Sequence, residues 1–344
     1  MSSPVIALDH ASQIFSTKRG PVPAVDDVTL ELQQGEIVSL VGESGCGKTT
    51  TGKMVAGLLK PTSGTLYYQG KPVRSDDREA YTAFRRGVQL IHQDPYASLN
   101  PIHTLYQMLS APLFDHHLVH GRNQAMARVR ELLELVDLTP PDDFVFKYPH
   151  QLSGGQRQRA SIARALTVNP KVIVADEAVS MVDVSMRLSL LHTLLRLRDE
   201  LGITFLSITH DLALARYFSR GGRIGVMYLG RMVEMSPADD LVDDPKHPYT
   251  QILLSAIPEP DPDRTRHKDE LQLRSAEIPS LLQIPSGCPF HPRCPAFVPG
   301  TCDVIRPDLV PIERQHYAAC HVAVRIAGVA AVATRQAVAA EQAV

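Results

Sequence analysis

Two hydrophobic periods alternate along the first 255 residues. Ile37-Val38-Ser39-Leu40-Val41 is a short, mostly apolar run that stops at a glycine, and Val172-Ile173-Val174-Ala175 is wholly apolar. Runs of this length and character predict strands buried on both faces. Val5–Leu8, Val28–Leu32, Val88–Ile91 and Ile203–Ile208 predict further short strands. Between them the period changes to that of a helix. Lys48–Leu59 carries Met54, Val55, Leu58 and Leu59 on one face and stops before Pro61 and Gly64. Ala125–Val136 is amphipathic through Val129, Leu132, Leu133 and Val136, and Arg187–Leu201 sets its leucines on one side. Apolar strands separated by helices predict an α/β fold with a mostly parallel core sheet covered on both sides.

The pattern changes near residue 256. Pro258, Pro260 and Pro262 alternate with acidic residues, which predicts a stiff linker. Beyond it lie four of the five cysteines, and the chain from about 323 to 344 is rich in Ala and Val. The expected division is therefore 1–255, 256–322 and a tail, 323–344. With 35 basic against 37 acidic residues, there is no global field to gather nucleic acid or an anionic membrane. The strongest apolar stretch near the end, Ile326–Ala333, is bracketed by Arg325 and Arg335 and is too short to span a bilayer. Met1-Ser2-Ser3-Pro4 lacks the basic and apolar regions of a signal peptide. A cytosolic chain is expected, and in that compartment cysteines argue for metal or chemistry rather than disulfides.

Gly42-Glu43-Ser44-Gly45-Cys46-Gly47-Lys48-Thr49 fits G-x-x-x-x-G-K-[ST] between a predicted strand and a predicted helix. Its glycines let backbone N–H groups converge on phosphate oxygens, and the helix start adds a positive end. Lys48 would neutralise the outer phosphates and the Thr49 hydroxyl would ligate Mg²⁺, with Thr50 next in line. Cys46 reads as a small filler within the loop. Asp176 follows the apolar strand at the end where ligands bind in such sheets, and would hold Mg²⁺ through water. Glu177 alternates to another direction and would polarise the attacking water. Asp115-His116-His117-Leu118-Val119-His120 looks metal-like, but reads better as a polar loop before a helix.

Leu152-Ser153-Gly154-Gly155-Gln156 then names a class. The string LSGGQ resembles the signature of ABC ATPase nucleotide-binding subunits. Ser153 can cap the helix that follows, and Gly154 and Gly155 allow close backbone approach. The resemblance implies an α/β P-loop ABC ATPase domain. Its parts would be a mostly parallel core sheet, an antiparallel edge subdomain and a helical subdomain near 95–168. It implies that Ser153, Gly154, Gly155 and Gln156 close on ATP bound by an opposing subunit. It further implies that Gln93 senses Mg²⁺ and water, that His210 contacts the γ-phosphate, that Asp183 belongs to the dimer loop, and that Phe15 stacks on adenine. ATP contacts along 42–50, including Glu43, Ser44, Gly45, Cys46 and Gly47, come with it. Two positions depart from the family pattern. Ala178 stands where proline is usual, and Ser180-Met181-Val182-Asp183 where Ser-Ala-Leu-Asp is usual. These exchanges keep apolar character and bear on how the loop couples two sites.

Three more strings narrow the family. Asp94-Pro95-Tyr96-Ala97-Ser98-Leu99-Asn100-Pro101, His247-Pro248-Tyr249-Thr250 with Leu253–Pro258, and Gly287–Pro295 resemble the oligopeptide/dipeptide importer ATPases, of the second-subunit type. The implied partners are a second, distinct ABC ATPase subunit, two membrane permease subunits and an extracytoplasmic solute-binding protein. The implied place is peripheral, on the cytoplasmic face of the membrane. Cys288, Cys294, Cys302 and Cys320, separated by five, seven and seventeen residues, lie in a Pro- and Gly-rich segment that needs a clamp. Related importer ATPases can hold a [4Fe–4S] cluster here, so that cluster is the expectation, with zinc or bare thiols as alternatives. A soluble ABC ATPase acting on nucleic acid is the competing function, but there is no basic tract and only one cassette. A P-loop kinase is a third, which LSGGQ and His210 argue against.

Overall fold

A computed structural model of the chain describes residues 3–256 and 272–328. The prolines of the expected linker and the tail beyond residue 328 lie outside the described residues. The chain divides into two compact units. The first gathers Met1–Ala11, Asp27–Ser39 and Thr49–Thr209, and the second gathers Ser12–Asp26, Leu40–Lys48 and His210–Val344.

In the first unit, the strands Val88–Ile91, Val172–Asp176 and Thr204–Ile208 run parallel. Val172 faces Val88 on one side and Thr204 on the other, and Asp176 pairs with Ile208. All five residues of Val172–Asp176 are buried, as expected for a strand covered on both faces. In the same unit Ser63–Tyr68 pairs antiparallel with Lys71–Pro72. The strands Ile6–Thr17 and Gly20–Leu32 run beyond the predicted apolar clusters into mostly exposed or half-buried residues, which carry little apolar signal.

The helices follow local signals. Val184–Leu201 starts three residues earlier than the leucine pattern predicts, directly after Asp183. Leu105–Asp115 and Gly154–Leu166 each begin with a capping box, Thr104 with Gln107 and Ser153 with Gln156. The helix predicted over Lys48–Leu59 ends at Val55. Gly57 adopts φ +64, a left-handed conformation that a helix cannot continue through, and a Cβ there would strike the Phe84 ring.

In the second unit, the sequence region expected to be irregular also contributes order. Val310–Glu313 pairs antiparallel with His316–Ala318, which pairs with Arg231–Pro237, which pairs with Arg223–Tyr228. An aromatic cluster forms the centre of this unit. Tyr228, Tyr249 and Phe290 are fully buried, with ring centroids 4.6 to 5.3 Å apart. Each such contact adds about 1 kcal/mol beyond the area it buries.

A buried carboxylate ties these pieces together. Glu234, fully buried, accepts hydrogen bonds from Lys246 N (2.7 Å) and His247 N (3.0 Å), and its Oε1 lies 2.7 Å from His316 Nε2. The His247 ring in turn accepts from Tyr249 N (3.0 Å), capping the helix Pro248–Ser255. Burial pushes His247 down to about 4, with the Glu234 charge pulling the other way. Between about 4 and its usual 6.5, the unfolded chain binds the proton and the folded chain does not. Stability is thus full above that window and falls as the pH drops through it. His247→Asn keeps an acceptor for Tyr249 N–H but does not titrate. Urea midpoints taken from pH 4.5 to 7.5 should show the wild type losing up to about 3 kcal/mol on acidification and the variant losing much less. Equal slopes would assign the acid sensitivity elsewhere.

Candidate functional site

The loop Gly42–Gly47 leaves the fully buried strand Ile37–Val41 and enters the helix Lys48–Val55, the context the motif requires. It threads between backbones. A Cβ on Gly42 would collide with the Met227 carbonyl oxygen, and one on Gly47 with that of Ala24, while both glycines hold positive φ (+146 and +106). No other residue fits here. Lys48 is buried, and its ammonium donates to the carbonyls of Gly42 (2.7 Å) and Glu43 (2.9 Å). Cys46 is buried with Sγ 3.7 Å from that ammonium, and burial pushes its thiol up. That is the behaviour of a filler.

Glu43 is held at each of its polar groups. Its N–H donates to the Tyr249 hydroxyl (2.9 Å), and both carboxylate oxygens accept from Arg293 Nη1 (3.0 Å each). Arg293 lies in the string that marks the importer resemblance, and nothing in its sequence context marks it as a neighbour of the phosphate loop.

The candidate acidic residues lie in the first unit. Thr49 Oγ1 donates to Asp176 Oδ1 (3.1 Å), which joins two of the three expected Mg²⁺ ligands, Gln93 being the third, across 127 residues of sequence. Burial, then the Glu177 charge, pushes the Asp176 carboxyl up, against the Thr49 hydrogen bond, Lys53 and His92. A hydroxyl beside a carboxylate is a hard-oxygen donor set, and it fits Mg²⁺. Gln93 Nε2 donates to Glu177 Oε2 at 2.7 Å, so those two predicted residues also meet. Glu177 follows the strand with φ +46, a conformation rare for a side-chain-bearing residue, and its N–H is fixed to Ile208 O (2.9 Å). Strain of this kind concentrates at functional positions.

At Leu152–Gln156, Ser153 Oγ accepts from Gln156 N (3.3 Å) and Gln156 Oε1 accepts from Ser153 N (3.0 Å). Gly155 is buried, and a Cβ there would stand 2.7 Å from Met186 Cε, whereas Gly154 opens to space. Ser153 therefore sits exposed at the start of a helix. Asp183, also exposed, precedes Val184–Leu201 in extended backbone. The departures at this loop keep Ala178 and Val182 buried and leave Met181 exposed. In the second unit, Phe15 presents a ring 39% exposed, and His210 is exposed just before Asp211, which caps Leu212–Phe218. Ser44 and Gly45 are exposed on the phosphate loop, with Thr50 half-buried at the helix start.

The four distal cysteines do gather. Cys288, Cys294, Cys302 and Cys320 line one small pocket with His291 and His321. All are free thiols, and burial pushes Cys288 up to about 12 and Cys294 up to about 11. Yet among the described residues no group of three or more His, Cys, Asp or Glu converges as metal ligands do. The geometry does not support the expected [4Fe–4S] cluster, and it gives zinc no better support. The sequence shows four thiols in one segment, but not whether their sulfurs point at one centre.

Comparison with known proteins agrees with the fold and with both sequence regions. Residues 25–180 match the ABC transporter family, and residues 233–302 match the oligopeptide/dipeptide transporter C-terminal region. The chain is 46% identical over 319 residues to a putative oligopeptide transport ATP-binding protein, YkfD, of Bacillus subtilis (strain 168), covering 92% of this chain and 95% of that one. It is 44% identical over 288 residues to the oligopeptide transport ATP-binding protein OppF of the same organism, covering 83% and 92%. Among solved structures, the ATP-binding cassette MJ0796, a dimer bound to ADP and Pi, superposes with TM-score 0.61 at 30% identity, over 68% of this chain and 98% of that one. The G-x-x-x-x-G-K-[ST] loop, an acidic strand end and a capped LSGGQ helix thus occur in one chain with a matching C-terminal region, and the chain belongs to the ATP-binding proteins of the oligopeptide/dipeptide ABC transporter family.

Proposed function

We propose that this chain binds and hydrolyses MgATP and so powers import of peptides through a membrane permease. The observation that carries the reading is the pairing, in one unit, of Thr49 with Asp176 and of Gln93 with Glu177. Thr49, Asp176 and Gln93 would hold Mg²⁺, which when bound screens the phosphate charge. Lys48 neutralises the outer phosphates, and Phe15 stacks on the base. Glu177 takes a proton from water as its oxygen attacks the γ-phosphorus and the bond to ADP breaks, and His210 supports the charge on the transferred group.

Ser153 and Gly155, with Gly154 and Gln156, complete the site of an opposing ATPase subunit, with Asp183 at the dimer loop. The resemblance to second-type subunits favours a partner that is similar but distinct. No helix among the described residues is long and apolar enough to cross a membrane, so attachment would come through two permease subunits at the cytoplasmic face. A solute-binding protein outside the membrane would deliver the peptide. The surface from Gln93 to about Leu109 is where a short permease helix would dock. Nothing in the family matches points to the nucleic-acid alternative.

The composite site can be tested at Ser153. Ser153→Arg places a cation and a long side chain where the partner's phosphates would approach. Transporter ATPase activity should fall at least about tenfold while the variant's own ATP affinity stays within about twofold. Unchanged activity would remove Ser153 from any partner's site.

A further inference from the structure

We propose that the C-terminal region sets the phosphate loop for nucleotide through Glu43, with Arg293 and Tyr249 as positioning residues. The proposal rests on the reading that residues 42–49 hold the phosphates of ATP.

Every polar group of Glu43 has a partner within the second unit. Tyr249 takes its N–H, Arg293 takes both carboxylate oxygens, and the Lys48 ammonium takes its carbonyl. The anchors are rigid. The Arg293 side chain is 6% exposed and lies 5.9 and 5.8 Å from the ring centres of Tyr228 and Phe290. Its backbone N–H is fixed to Phe290 O and its carbonyl accepts from Arg274 N. Tyr249 is fully buried at the start of a helix whose cap, His247, is bound to Glu234. The Glu43 side chain is 24% exposed, so this ion pair is shielded from solvent and is worth more than a surface pair.

The loop needs such anchors. Gly42, Gly45 and Gly47 all hold positive φ, and a glycine-rich segment loses more freedom on ordering than any other. A loop already fixed in its binding shape does not bear that cost when phosphate arrives. Glu43 stands at the loop's entrance with its own N–H engaged by Tyr249. It is thus an anchor, and the N–H groups further along are left to face the ligand. The C-terminal region thereby acts on ATP without touching it.

The test uses the full chain, alone for ATP affinity and assembled with its permease and partner for turnover. Arg293→Met and Glu43→Gln should each raise the Kd and KM for ATP by about tenfold, and Arg293→Met should leave kcat within about twofold. Arg293→Lys should recover part of the loss. The double variant should be no worse than the poorer single variant, because both remove one interaction. Tyr249→Phe removes only the hydroxyl and should weaken ATP binding in the same way. If Arg293→Met does not fold, Glu43→Gln decides, since it preserves shape. ATP affinity unchanged in Glu43→Gln, or additive losses in the double variant, would overturn the proposal. Lys48→Met separates the two levels. If it loses ATP while the Glu43 and Arg293 variants do not, the loop reading stands and the anchoring fails. If it retains ATP, the loop reading itself fails.

Discussion

Glu177→Gln should lower ATP turnover by about a thousandfold and leave ATP binding intact. The substitution is nearly isosteric. An amide oxygen at that position still accepts from Gln93 Nε2, now 2.7 Å from the carboxylate, and the backbone bond to Ile208 is untouched. Only basicity is lost. Water must give up a proton as it attacks phosphorus, and a neutral amide cannot take it. Phosphate release by the assembled transporter, beside equilibrium ATP binding, gives the answer. Turnover near that of the wild type would remove Glu177 from the chemistry, and loss of binding would show that its role is to hold the site's shape.

Lys48→Met should weaken ATP binding by about 100-fold, with turnover lost in consequence. The ammonium is buried and held over the loop by the Gly42 and Glu43 carbonyls, so its charge acts where water screens little. Methionine preserves the stem's packing and removes the charge. It also takes the ammonium donor from the Gly42 and Glu43 carbonyls, of which Glu43 keeps the Cys46 N–H (3.3 Å), and so loosens the loop it should close. Titration with a fluorescent ATP analogue measures the loss. An affinity within about threefold of the wild type would exclude Lys48 as a phosphate ligand.

Both residues were candidates from sequence because their signals are local. Lys48 sits in an eight-residue motif, and Glu177 follows a wholly apolar strand whose burial follows from composition alone. Ser153 and Gln156 were legible for the same reason, since a capping box spans one helical turn. The strands Val310–Glu313 and His316–Ala318 gave no such signal. They contain Pro311 and a buried His316, and the latter is tolerable only because Glu234, 82 positions earlier, receives it. The pairing of Arg293 with Glu43 is hidden more deeply, because neither residue's neighbourhood names the other. The cysteines show the opposite case, a local signal that the described geometry does not support. Four thiols close in sequence invite a metal, but ligation needs convergent sulfurs, and side-chain direction is not written in spacing.

The bond between Glu43 and Arg293 joins residues 250 positions apart. At roughly 5–20 residues per second, a ribosome completes the distal partner about 10 to 50 s after the loop. Throughout that interval the nascent chain carries its glycine-rich segment without the anchor that shapes it. If Arg293 sets the loop as proposed, full affinity for nucleotide is among the last properties acquired during synthesis. On that proposal, a chain cut short before Arg293 carries every ATPase motif and an unset loop, ill-suited to compete with intact subunits for ATP.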